Sequence, residues 1–154
     1  SYDDHVVIEQ WIEGVELAVS VIGTGWDAHA LPPVEIVPKH GLYDTAARMD
    51  ASLVDYYAPV RNESLSSNEA DAQAIRAEIE RAVLEVYRAY GLRDLGRIDL
   101  IWDGAQARVM ETNVSPGMTE TSLFPAACKA SGLSLSAVLD ELVNNAKERG
   151  AVFC

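Results

Sequence analysis

The sequence predicts an α+β domain with a largely antiparallel sheet flanked by helices. Three observations carry this. The elements run in the order strands, helix, strands, helices. Early segments such as Glu16–Gly23 alternate in polarity about every second residue, the period of a strand. Late in the chain, Leu95–Trp102 and Ala107–Thr112 form a two-stranded unit around a turn containing Asp103-Gly104.

Taken in order, Val6–Trp11 (VVIEQW) is a short strand candidate, and Gly14 helps the turn into the next strand, Glu16–Gly23. Gly23–His29 is a turn region, and Pro33–Val37 is a third strand bounded by prolines, which belong at strand edges. From Pro38 to about Ser67 no periodicity is evident. A loop of roughly 30 residues is well beyond the length at which structureless loops become uncommon, and such loops often act as lids or binding loops. A helix should start at Asn68, an N-cap residue type, with Glu69 and Asp71 suiting the positive end of its dipole. Its apolar positions are Ile75, Ile79, Ala82, Val83, Val86 and Tyr90, and Gly91 supplies the stop. Ser122–Ser131 is helical after its first turn. Ser136 caps a last helix carrying Val138, Leu139, Leu142 and Val143 and ending at Gly150.

The 154 residues suit one domain, 1–150, and the apolar fraction of 49% is enough for a real core. A net charge of −12 argues against nucleic acid, whose phosphates would be repelled. It leaves room for a nucleotide, because a metal and a few local cations reverse the sign inside one pocket. No apolar run has transmembrane length and no signal peptide is evident, so no membrane partner is expected. Cys128 and Cys154 lie in no CxxC pattern, and reduced thiols are the simpler reading. His5, His29 and His40 show no ligand spacing.

The stretch Gly96–Pro125 (GRIDLIWDGAQARVMETNVSPGMTETSLFP) holds the chemistry. Glu111 and Asn113 are two apart in an extended segment and share one face. Asp99 must reach that face from the neighbouring strand. A two-residue Asp103-Gly104 turn would pair Asp99 with Arg108, on the face opposite Glu111. A three- or five-residue loop, or a bulge, would bring Asp99 opposite Glu111. Three oxygen ligands and Arg97 at two strand ends suit a hard cation with phosphates, hence metal-assisted phosphoryl chemistry. Solvent-facing strand acids and a plain turn at Asn113 are the competing reading.

Gly96-Arg97-Ile98-Asp99, Glu111-Thr112-Asn113, Ser115-Pro116-Gly117-Met118-Thr119 and Ser122-Leu123-Phe124-Pro125 closely resemble the D-alanine–D-alanine ligases, which are ATP-grasp enzymes of cell-wall precursor synthesis. The resemblance extends upstream through Glu9–Leu17 and Val34–Pro38, and reaches to about Val143. It implies an ATP-grasp C-terminal domain, with an N-terminal substrate domain and a central domain lying outside this chain. It implies ligation of two D-alanines through an acyl phosphate, with ATP and two Mg²⁺ (or Mn²⁺) as cofactors. Asp99, Glu111 and Asn113 would hold the metals. Arg97 and the Gly117 N–H would face the oxyanion, and Ser122 would take the second D-alanine's carboxylate. Glu9, Trp11 and Ile12 would hold adenine, Glu16 the ribose hydroxyls, and Arg48 the phosphates from a mobile loop. The resemblance further implies a cytoplasmic enzyme that is a homodimer at full length.

The loop departs from the family pattern. Arg48 stands where lysine is typical, and Thr45 and Met49 replace aromatics. The only lysines are Lys39, Lys129 and Lys147, no Gly-rich phosphate loop is present, and the fragment alone should be inactive. Two alternatives stay open: another ATP-grasp carboxylate–amine or hydroxy-acid ligase, and a non-catalytic Mg-nucleotide-binding module.

Overall fold

A computed structural model describes residues 5–43, 45, 47 and 50–150. The strands are β1 (Val15–Ile22), β2 (His29–Ala30), β3 (Val34–Pro38), β4 (Val54–Tyr57), β5 (Leu95–Trp102) and β6 (Ala107–Asn113). The α-helices are α1 (Asn62–Leu65), α2 (Glu69–Ala89), α3 (Leu123–Ala130) and α4 (Leu135–Arg149). The sheet runs β4-β3-β1-β5-β6, with β2 paired to the end of β1, and every described pairing is antiparallel. The α+β expectation is met.

β1 is central and buried from Leu17 to Ile22, so it needs apolar residues on both faces. Leu17, Val19 and Val21 join Ile98, Leu100 and Trp102 of β5 under Ile79, Val83 and Tyr87 of α2. On the other face Ala18, Ile22, Val34, Ile36 and Val54 pack against Leu123, Phe124, Ala127 and Cys128 of α3 and Val138 of α4. α3 and α4 pack on this second face, and Arg97 of β5 lines a cleft together with Ser122 and Leu123 at the start of α3.

Several expectations need correction. Val6–Trp11 is not a strand: Val6, Val7 and Ile8 are 85–91% exposed. An apolar run becomes a strand only beside a partner, and both sides of β1 are already taken by β3 and β5. Gly14 does not turn between two strands. It lets the chain pass the backbone of β5, where a Cβ would lie 2.2 Å from the Trp102 carbonyl oxygen. The long loop contains β4, a short edge strand with only one neighbour, and the single turn α1. A four-residue edge strand leaves too short a repeat for periodicity to register.

α2 begins as expected, with the Asn68 side chain accepting from the Ala70 and Asp71 N–H groups. Its buried aromatic is Tyr87, whose hydroxyl donates to the Gly23 carbonyl at 2.9 Å, whereas Tyr90 is 71% exposed. The last helix is capped by Ser134, which accepts from the Ala137 N–H, and not by Ser136. Two serines stand close to that helix start, and which one caps is decided by where the chain leaves α3. Cys128 is buried as a free thiol, and burial pushes its pKa up. Cys154 lies outside the described residues.

Candidate functional site

β5 and β6 leave a four-residue connection, 103–106, between Trp102 and Ala107. The Asp103 carboxylate organises it, accepting from Arg108 Nε at 2.7 Å and from the Ala105 and Gln106 N–H groups at 2.9 Å. Those bonds, that of Arg108 foremost, pull its pKa down to about 2. Pairing proceeds through Ile101↔Arg108 and Leu100↔Val109, then skips Met110, so that Asp99 faces Glu111. An unbroken ladder would set Asp99 against Met110 and turn Glu111 to the other face. Of the arrangements that would set Asp99 opposite Glu111, a three- or five-residue loop or a bulge, the structure has the bulge.

Beyond the bulge, Arg97 pairs with Asn113, which places Arg97, Asp99, Glu111 and Asn113 on one face. Arg97 forks onto Asp99, Nε and Nη2 each donating at 2.7 Å, and its Nη2 is 3.8 Å from Glu111 Oε1. Burial disfavours the Arg97 charge, yet the paired carboxylates outweigh it and raise the pKa. Asn113 Oδ1 accepts from the Ser115 N–H at 2.9 Å, which fixes the turn leaving β6. An amide oxygen carries a second lone pair, and with two carboxylates it makes an all-oxygen donor set suited to Mg²⁺ or Mn²⁺. Among the described residues no cluster of three or more His, Cys, Asp and Glu could hold a metal ion.

Next to this face a cleft of about 290 Å³ is bounded by Arg97, Gly117, Thr119, Ser122, Tyr43 and Tyr56. Ser122 stands at the N-cap of α3 but makes no cap bond to it. Its Oγ instead accepts from the Thr119 N–H at 3.2 Å and meets Thr119 Oγ1 at 2.8 Å. Gly117 approaches so closely that an added Cβ would lie 2.7 Å from Ser122 Oγ. The Gly-Met-Thr loop and the helix start are thus bound into one polar wall.

On the other side lies a larger cleft of about 520 Å³, reaching Trp11, Ile12, Glu16, Tyr43 and Arg61. A third, of about 370 Å³, touches Glu9, Trp11 and Glu16 as well as Asp99 and Glu111. Glu16 pairs with Ile101 in the sheet and so shares the face of Asp99. Three of the expected nucleoside residues, Glu9, Trp11 and Glu16, therefore line one cleft with two of the expected metal residues, Asp99 and Glu111. Arg48 lies outside the described residues.

Sequence reading missed one feature of the groove wall. Glu35, only 3% exposed, accepts from Arg61 Nε at 3.0 Å, Arg61 Nη2 at 2.7 Å and the Ser64 hydroxyl at 2.7 Å. Burial pushes the Glu35 carboxyl up, but these donors outweigh it and hold its pKa below the usual value. The signal available was a lone Glu inside an apolar strand, Pro33–Val37, which demands a buried cation.

Comparison with known proteins agrees with this geometry. A D-alanine–D-alanine ligase of Bordetella petrii is 40% identical over 147 residues, covering 94% of this chain and 42% of that protein. One of Desulforudis audaxviator is 35% identical over 144 residues, covering 94% and 44%. Among solved structures, the D-alanyl-alanine synthetase A of Vibrio cholerae superposes with TM-score 0.68 at 26% identity, over 89% of this chain and 40% of that one. The VanG D-Ala:D-Ser ligase of Enterococcus faecalis gives TM-score 0.67 at 25% identity, over 88% and 37%. The fold is thus the α+β architecture found in these amino-acid ligases. More narrowly, the chain belongs to the family described as D-ala D-ala ligase C-terminus, whose model it matches over residues 1–144. It spans about two fifths of the length of the curated relatives it matches.

Proposed function

We propose that residues 1–150 form the ATP-grasp C-terminal domain of a D-alanine–D-alanine ligase, the part that binds nucleotide, metal and second substrate. The observation that carries this is the bulge-set register, which gathers Asp99, Glu111, Asn113 and Arg97 between a nucleoside-sized groove and a smaller polar cleft. The N-terminal and central domains of such an enzyme would supply the remaining phosphate contacts and the first D-alanine's site.

In this reading Trp11, Ile12 and the Glu9 segment flank the adenine, and the Glu16 carboxylate accepts from the ribose hydroxyls. Asp99, Glu111 and Asn113 would hold two Mg²⁺ or Mn²⁺ ions, whose chemistry would be to neutralise phosphate charge. Arg48, from the loop, contacts the phosphates. The first D-alanine carboxylate takes the γ-phosphoryl group of ATP, releasing ADP and giving an acyl phosphate. Ser122 orients the second D-alanine through its carboxylate, so that its amine attacks the acyl carbon. Arg97 and the Gly117 N–H face the oxyanion that develops, donors each worth about 3 kcal/mol of barrier. Inorganic phosphate leaves, and the dipeptide serves peptidoglycan precursor synthesis. Use of ATP and a free amino acid places the enzyme in the cytoplasm. Among the described residues no helix is long and apolar enough to cross a membrane, and the charge of −12 disfavours nucleic acid as a partner. The full-length enzyme acts as a homodimer in this reading.

The test uses the full-length protein. Phosphate release is followed with ATP, Mg²⁺ and D-alanine, against L-alanine and D-lactate controls, in wild type and Glu111→Gln. D-alanine-dependent release that collapses in the variant supports the reading. Faster release with another acceptor keeps the fold and moves the substrate. No D-alanine-dependent release from a protein that binds Mg·ATP leaves only a nucleotide-binding module.

A further inference from the structure

The proposed chemistry gives Ser122 a role and leaves Thr119 and Thr121, which line the same cleft, without one. Ser122 and Thr119 are tied together three ways. The Thr119 N–H donates to Ser122 Oγ at 3.2 Å, the Ser122 N–H donates to the Thr119 carbonyl at 2.9 Å, and the two hydroxyl oxygens lie 2.8 Å apart. Thr121 Oγ1 stands 3.4 Å from Thr119 Oγ1, a longer and weaker contact. The Ser122 N–H is thus already engaged, and its hydroxyl is the donor it can offer a ligand. Ser122 opens on a cleft that it shares with Arg97 and with Tyr43 and Tyr56, whose own hydroxyls lie 2.8 Å from each other.

A hydroxyl has one proton to donate and two lone pairs with which to accept. One lone pair of Ser122 takes the Thr119 N–H. The contact between the two hydroxyls then runs one of two ways. With Ser122 as donor, its only proton stays inside the loop, and a carboxylate in the cleft would meet a lone pair. With Thr119 as donor, both lone pairs of Ser122 are filled and its proton is left for the cleft. Only the second arrangement lets the Ser122 hydroxyl donate to an anion. We propose that Thr119 is a positioning residue, whose hydroxyl donates to Ser122 Oγ and so directs the Ser122 proton to the carboxylate of the second D-alanine. This rests on the ligase reading, which sets that carboxylate at Ser122. Chained hydroxyls also polarise one another, so the Ser122 O–H becomes the better donor for having accepted from Thr119.

The experiment is steady-state kinetics of the full-length protein, with Thr119→Val and Thr119→Ser made in wild type and in Ser122→Ala, beside a thermal melt of each. Thr119→Val keeps the branched shape and the backbone N–H and removes only the hydroxyl. It is expected to raise the KM for the second D-alanine about tenfold, with the KM for ATP unchanged. Thr119→Ser restores a hydroxyl at the same place and should return that KM to within about twofold of wild type. In the Ser122→Ala background Thr119→Val should change the KM no further, because Thr119 acts only through the Ser122 hydroxyl. If Thr119→Val does not fold, Thr119→Ala set against Thr119→Ser makes the same comparison. An unchanged KM in Thr119→Val, no rescue by Thr119→Ser, or an equal rise in the Ser122→Ala background overturns the proposal and leaves the ligase reading intact. A wild-type protein that makes no dipeptide from D-alanine overturns that reading and the proposal with it.

Discussion

Asp99 and Glu111 stand opposite each other across β5 and β6, and they do so because Met110 is an extra residue that the ladder passes over. Their environments differ sharply. Asp99 is mostly buried and grips Arg97 with both oxygens, whereas the Glu111 side chain is 51% exposed and only 3.8 Å from the same guanidinium. Asp99→Asn should therefore destabilise the fold by about 2 kcal/mol, because it leaves a largely buried arginine without its counter-charge. Glu111→Gln should cost under about 0.5 kcal/mol. Both should abolish ligase turnover. Urea unfolding of the two variants checks the contrast, and equal costs would mean that the bidentate pair carries no special weight.

Glu35 makes stability depend on acidity. Its pKa is lower in the folded chain than in the unfolded one, so the folded state releases that proton more readily. The stabilisation is complete above the ordinary carboxylate range, about pH 4.3, and is lost as pH falls through the folded value. Glu35→Gln should cost about 2 kcal/mol at pH 7, and the gap from wild type should narrow as pH falls below the ordinary carboxylate range. Denaturation midpoints at pH 7, 5, 4 and 3 test this, and a constant gap would contradict it.

Gly14→Ala should be costly despite lying at the surface. The new Cβ would be 2.2 Å from the Trp102 carbonyl oxygen and 2.6 Å from Ile101 Cγ2, so backbone must move. Overpacking of this kind costs about 1–3 kcal/mol. The displaced segment carries Trp11 and Ile12, and nucleotide affinity should fall together with Tm. Calorimetric titration with a non-hydrolysable ATP analogue, beside a thermal melt, checks both.

Ser122→Ala removes the hydroxyl that binds the Thr119 loop to the start of α3. Because Ser122 makes no cap bond, the usual penalty for losing an N-cap, about 1 kcal/mol, should be absent. The KM for the second D-alanine should rise at least tenfold, with the KM for ATP unchanged. Steady-state kinetics together with a melt separates the two effects, and a Tm loss with unchanged KM would make Ser122 structural only.

Much of this was legible beforehand where the cause is local. The Asn68 cap, the span of α2, the β5–β6 hairpin and the shared face of Glu111 and Asn113 all follow from near neighbours in the chain. Reading failed where the cause is distant. β4 exists only because β3 offers it an edge. Val6–Trp11 has strand-like residues but no strand partner among the described ones. Tyr87 and not Tyr90 is buried because Gly23, far away in sequence, supplies its hydrogen-bond acceptor.

By itself, the sequence determined the fold class, the family and the identity of the polar groups, because side-chain chemistry and short-range periodicity are properties of residue type and spacing. Only the tertiary structure decided which register β6 takes, how Arg97 divides itself between Asp99 and Glu111, and that Tyr43 and Tyr56 touch. A one-residue shift in a ladder moves every side chain to the other face, and nothing in a linear string states which alignment minimises the energy of the packed whole.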